Sequence, residues 1–129
     1  MQQVQGIFSL YSNGHFNEAL NAANALLRDY PDEGILLNLL GLIHAALLQY
    51  EPAIDCLRRA IEIKPDVAET HQFLGNTLLQ KGDAGEAVGC FERAIELRPD
   101  YLEAHSKLCE ALERSNRLEE MERALARAK

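Results

Sequence analysis

The chain lacks tryptophan and holds only four tyrosines, four phenylalanines, three cysteines and four prolines in 129 residues. So few aromatics leave any core to aliphatic side chains and alanine, which with the abundant glutamate are helix-forming stock. Cys56, Cys90 and Cys109 are odd in number and lie in no CxxC pattern. That argues against a disulfide scaffold and fits reduced thiols. No apolar run is long enough to cross a bilayer, and the start MQQVQGIF has neither the basic residues nor the apolar stretch of a signal peptide. A formal charge of −7, with no clustered basic face, argues against nucleic acid and anionic membranes as partners. Also missing are a glycine-rich phosphate loop, GxSxG and HExxH. No catalytic set, cofactor or metal is therefore expected. The expectation is a soluble, cytoplasmic, non-enzymatic chain of single-domain size.

What is present is a repetition. RAIEIKPD (Arg59 to Asp66) returns as RAIELRPD (Arg93 to Asp100), 34 residues later. Laying residues 53–71 over 87–105 gives ten identities in nineteen positions. The same register aligns Pro31, Pro65 and Pro99; Leu40, Leu74 and Leu108; Ala19, Ala53 and Ala87; Leu57, Phe91 and Leu125; and Ala60, Ala94 and Ala128. A fixed period of this length signals stacked supersecondary units. Four units emerge, at about 1–33, 34–67, 68–101 and 102–129, within one array spanning 1–129.

Within a unit the apolar residues fall at helical spacing, as in Leu37, Leu40, Gly41, His44 and Leu47, and again in Ala53, Ile54, Leu57, Ala60 and Ile61. Asn13-Gly14 and Lys81-Gly82-Asp83 supply turns, and Pro52 suits a first helical turn. Asp66 and Asp100, each with Glu three residues on, predict N-caps. The predicted helices are 2–13, 16–29, 33–48, 51–63, 67–81, 84–97, 101–115 and 118–128, the last acting as a cap. Gly41 and Gly75 fall mid-helix, where each costs about 1 kcal/mol relative to alanine. Close crossing of the paired helices over the Ala53 and Ala87 columns, with backbone nearly touching backbone, would offset that cost. Cys109 in the glycine column implies looser packing at the end of the array.

The columns Leu40-Gly41, Ala53, Leu57, Ala60, Pro65 and Leu74-Gly75, Gly82, Ala87, Phe91, Ala94, Pro99 resemble the tetratricopeptide repeat, a 34-residue helix-turn-helix unit. The resemblance covers essentially the whole chain. It departs from the family pattern at Leu48, where Gly14 and Gly82 stand in other units, and in the column of Leu37, His71 and His105, which lacks an aromatic. It implies an all-α solenoid of 3.5 to 4 repeats, wound as a right-handed superhelix whose first helices line a concave groove for peptides. The stretch from Asp66 to Asn76 is similar in style to arrays in O-linked N-acetylglucosamine transferases and in bacterial fusions to glycosyltransferase or sulfotransferase domains. Their asparagine ladder is incomplete here, because Leu39 and Phe73 occupy its place before the Leu-Gly pair. The two-carboxylate clamp of the co-chaperone group is disfavoured by Asn38, Leu42, Phe73, Glu103 and Lys107.

His71 and His105 share a column, as do Cys56 and Cys90, but neighbouring helices one repeat apart lie roughly 8–10 Å from each other. That separation is too wide for a shared metal ion or a disulfide. The groove-side faces run from apolar to acidic along the array. Phe8, Leu42 and Ala45 would grip a peptide or helix of a protein partner, Asn38, Gln72 and Asn76 would bond its backbone, and Glu69, Glu103 and Glu110 would attract lysine or arginine. Because helix 33–48 is apolar almost all round, a second copy of the chain is an alternative occupant. The other alternative is a substrate-presenting or oligomerising array of a larger enzyme.

Overall fold

The computed structural model describes residues 2–128, with side-chain surroundings for 3–126. Among the described residues all regular structure is helical: α1 (Gln2–Ser12), α2 (Phe16–Asp29), α3 (Gly34–Ala46), α4 (Tyr50–Ile63), α5 (Ala68–Lys81), α6 (Ala84–Leu97) and α7 (Leu102–Ala128). Helices consecutive in the chain pack on each other, and α1 also touches α3, α3 touches α5, and α5 touches α7. The first helices thus form one layer and the second helices another, the arrangement of an α-solenoid.

Each hairpin turns through a left-handed residue: Gly14 at φ +82°, Leu48 at φ +62° and Gly82 at φ +110°. The following N–H reaches the carbonyl five residues back in all three, as His15 to Leu10, Gln49 to His44 and Asp83 to Leu78, each at 2.8 Å. These are Schellman closures, which satisfy carbonyls that the helix end leaves free. Leucine at the middle turn is strained where glycine is not, because its Cβ crowds the backbone in that conformation.

The prolines set the corners between repeats. The Nε2 of His71 donates to the Pro65 carbonyl and that of His105 to the Pro99 carbonyl, both at 2.8 Å. In the second repeat the histidine column holds Leu37, which cannot donate. There Arg59 binds the Pro31 carbonyl instead, at 3.0 Å. The shared histidine column is therefore a structural device of the corner. The predicted N-caps shift in consequence: α5 starts after Val67 with no side-chain cap, so Asp66 lies in the turn. Glu33 caps α3 by a long contact of 3.5 Å to the Ile35 amide.

The glycine column crosses a side chain, which corrects the expectation of backbone against backbone. A Cβ at Gly41 would stand 2.6 Å from Leu57 Cγ, and one at Gly75 would stand 2.8 Å from the Phe91 ring. Both side chains are fully buried. Each large residue of the second helix lies in the notch that the missing side chain of the first leaves open.

The same notch explains a second correction. The predicted break near residue 116 does not occur, and α7 runs unbroken for 27 residues. In the last unit the glycine column holds Cys109, so a Leu125 folded back onto it would meet a side chain where Leu57 and Phe91 meet none. Met121 occupies the column where Ala53 and Ala87 are wholly buried and leave no room for a longer side chain. With neither contact available the helix continues straight, and Leu118, Met121 and Leu125 stay 49%, 61% and 64% exposed.

Candidate functional site: the concave trough

Helix α3 lies inside the first-helix layer, between α1 and α5, which accounts for its apolar character on all sides. Leu36, Leu37, Leu39, Leu40 and Ile43 are buried in the stack. The rest of its circumference faces the concave side. There α1, α3 and α5 enclose a depression of about 680 Å³ lined by Val4, Gln5, Phe8, Ser9, Ile35, Asn38, Leu39, Leu42 and Phe73. It runs on, through the shared Leu42 and Phe73, into a smaller one with Tyr11, Ala45, Ala46, Asn76, Thr77 and Gln80. Not one of these residues is charged, in a chain of net charge −7. Phe8 and Ile35 remain 53% and 62% exposed at its rim. Another depression, between α1 and α2, lies at the end of the stack and draws on a single hairpin.

Of the residues expected from sequence, Phe8, Asn38, Leu42 and Asn76 come together in this trough. The others do not line it. Gln72 is only 2% exposed. Glu69 pairs with Arg98 at 2.9 Å across the repeat corner, where Arg98 also lies 3.8 Å over the Tyr101 ring. Glu110 is held by Arg114 at 2.7 Å and Lys107 at 3.4 Å. Glu103 is exposed on the first turn of α7. Phe73 is the aromatic lining residue of α5 that the expected set left out, although its place before Leu74-Gly75 already put it in the groove register.

A third depression, about 450 Å³, adjoins the trough through Ile35 and Asn38 and holds Asp32, Glu33 and Lys64. Between the two, the side-chain Oδ1 of Asn38 is buried without a hydrogen-bond partner. The cysteines stand apart from these features, on α4, α6 and α7. Burial pushes the Cys56 thiol up and that of Cys90 up to about 11.

Two family models described as tetratricopeptide repeat match residues 9–68 and 75–116, together more than half of the sequence. The chain belongs to the tetratricopeptide-repeat family. It is 38% identical over 72 residues to human Superkiller complex protein 3, a match to 56% of this chain and 5% of that protein. An O-GlcNAc transferase of Thermobaculum terrenum superposes with a TM-score of 0.82 at 34% identity, over 86% of this chain and 21% of the transferase chain. The first tetratricopeptide domain of Spaghetti, solved with an HSP90 peptide, superposes at 0.83 with 17% identity, over 86% of this chain and 88% of that one. At that identity the likeness shows the fold alone. The chain spans a small fraction of the length of the first two proteins.

Among the described residues, no helix is long and apolar enough to cross a membrane.

Proposed function

We propose that this array is a non-catalytic recognition module that holds a segment of a protein partner along its concave face. One observation carries the reading: a continuous, uncharged trough built by three successive first helices, with Phe8 and Ile35 left half-exposed at its rim. Apolar side chains presented on a rigid concave wall are the means by which a groove takes up a peptide. A photo-crosslinking residue at Leu42 should trap the partner, whereas the same residue at Glu62, on a second helix, should not. Phe8→Asp should abolish the crosslink with helix content unchanged. Crosslinks that form only from Glu62, or that survive Phe8→Asp, move the site elsewhere.

The likeness to the O-GlcNAc transferase favours a second reading, in which the trough presents a substrate protein to a glycosyltransferase- or sulfotransferase-type domain. An open reading frame continuing past Lys129 into such a domain would establish it. Association of two copies through the same face is a further outcome to be measured, by light scattering across concentration with Leu42→Glu as the control. Cytoplasmic residence follows from the reduced-thiol reading and is tested by fractionation.

A further inference from the structure

We infer that copies of this chain join head to tail, the distal half of α7 of one copy seated in the groove between α1 and α2 of the next. The concave trough takes no part in this contact and stays free for the partner proposed above.

The first argument is the occupant. Every described residue from Asn116 to Ala126 is exposed, so α7 overhangs the array by a helical stretch of about 20 Å, close to the length of α2. Leu118, Met121 and Leu125 form a stripe at i, i+3 and i+7, the spacing with which an amphipathic helix anchors in an apolar groove. The same stretch carries the columns of a second helix, Met121 standing with Ala53 and Ala87, and Leu125 with Leu57 and Phe91.

The second argument is the seat. Inside the array each hairpin receives the second helix of the hairpin before it: Leu40 and Cys56 pack with Ala23 and Leu26 of α2, and Leu74 and Cys90 with Ile54 and Leu57 of α4. In the first hairpin the same positions are Gly6 and Ala22, and there they line the open depression of about 480 Å³ together with Ile7, Leu10, Ala25 and Asp29. This groove continues the interface between repeats by one more unit. The outer face of a free-standing array end is polar; here Asp29 is the single charged lining residue.

Size and charge select the occupant. Interior seats hold Leu40 and Arg59 and take a helix with alanine in the crossing column, whereas the terminal seat holds Gly6 and Ala25, which leaves room for the longer Met121. A Cβ on Gly6 would meet nothing within 4 Å, so no contact inside the chain accounts for a glycine in that helix. Asp29 lies at the C-terminal end of α2. Because repeats stack in one orientation, a helix seated on α1 as α2 is seated on α3 runs toward Asp29, and the sequence after Leu125 supplies Arg127 and Lys129 for that end. The contact joins unlike surfaces, so its repetition builds a ring or an open chain of copies.

Sedimentation of the purified chain across concentration, with two double variants, tests this. Leu118→Glu with Leu125→Glu removes the anchors of the helix, and Gly6→Glu with Ala25→Glu fills and charges the seat. All four positions are exposed, so neither helix content nor the urea midpoint should fall. Each double variant alone should be monomeric, its association weakened roughly a hundredfold or more. An equal mixture of the two should give a dimer holding one of each and nothing larger, because that pair retains one sound helix and one sound seat. A wild-type chain that stays monomeric at millimolar concentration overturns the inference. So does a seat variant that still self-associates, since α7 would then pair with α7 of the other copy. Association that Leu42→Asp abolishes and the seat variant spares belongs to the trough and overturns it as well. None of these outcomes alters the crosslinking test from Leu42, which decides the trough independently.

Discussion

Substituting Cys109→Gly, Asn116→Gly and Met121→Ala together should fold α7 into a fourth hairpin. The first change reopens the notch opposite Leu125, the second permits the left-handed turn seen at Gly14 and Gly82, and the third restores the alanine of the crossing. Leu125 and Leu118 are 64% and 49% exposed in the straight helix. Burying a leucine fully is worth about 1.5–3 kcal/mol, so seating the two recovers roughly 2–3 kcal/mol. Moving residue 116 from a helix interior to a left-handed turn removes a glycine penalty of about 1 kcal/mol. Against this stand the helical bonds lost at the break, partly replaced by a Schellman closure of the kind Asp83 makes to Leu78. A net preference of about 2 kcal/mol corresponds to roughly thirtyfold in population. Labels at Glu103 and Ala126, introduced as non-natural amino acids to spare the cysteines, would lie roughly 35 Å apart on a straight helix. In a hairpin with helices 8–10 Å apart the separation falls to about 10–15 Å. Pulsed electron-spin or energy-transfer measurements resolve that difference. A wild-type distance already short, or a triple variant whose distance stays long while the rest of the array melts normally, refutes the notch explanation.

Three other outcomes follow from the same contacts. Gly75→Leu drives a side chain into the Phe91 ring and should cost at least the 1–3 kcal/mol of an overpacked core, read as a lowered midpoint in urea. Leu48→Gly should raise the melting midpoint, since Leu48 is 71% exposed and loses little contact. The left-handed strain of about 1–2 kcal/mol that it relieves exceeds the added chain entropy of about 0.5–1 kcal/mol. Exposed Cys109 should react first with a disulfide reagent at neutral pH. Burial favours the neutral thiol of Cys90, so its thiolate should form only as pH rises toward about 11. Equal reaction of all three thiols at neutral pH would contradict the packing of α4 and α6.

The repeat was legible because its punctuation is chemical. Gly14 and Gly82 are where the backbone turns left-handed, and Pro31, Pro65 and Pro99 are where helices end. Leu48 was readable only as a departure, since nothing in the letters shows that a leucine adopts the glycine's conformation. The run-through of α7 hid in three substitutions whose joint effect depends on what faces them across the crossing, which periodicity does not specify. The groove was legible as a face and blurred as a set of residues. Gln72 and Phe73 are neighbours on one helix, and only the packing of α5 among its neighbours decides that the first is withdrawn and the second lines the trough. Glu69 and Glu110 carry the expected charge, yet Arg98 and Arg114 neutralise it from positions 29 and 4 residues away.

The buried side chains divide in a way the 34-residue period does not. Ile7, Ala19, Ala23, Leu26, Leu36, Leu39, Leu40 and Ile43 form one cluster, and Ile54, Leu57, Leu74, Leu78, Phe91 and Ala111 belong to another. The seam falls inside the α3–α4 hairpin, spanned by Leu57 where it lies on Gly41. Because α3 and α4 are packed more closely than α2 and α3, Leu57 in its notch joins the two blocks, and under heat or tension they should open together. The hairpin is the unit in which this chain is written, and the joined stack should be the unit in which it melts.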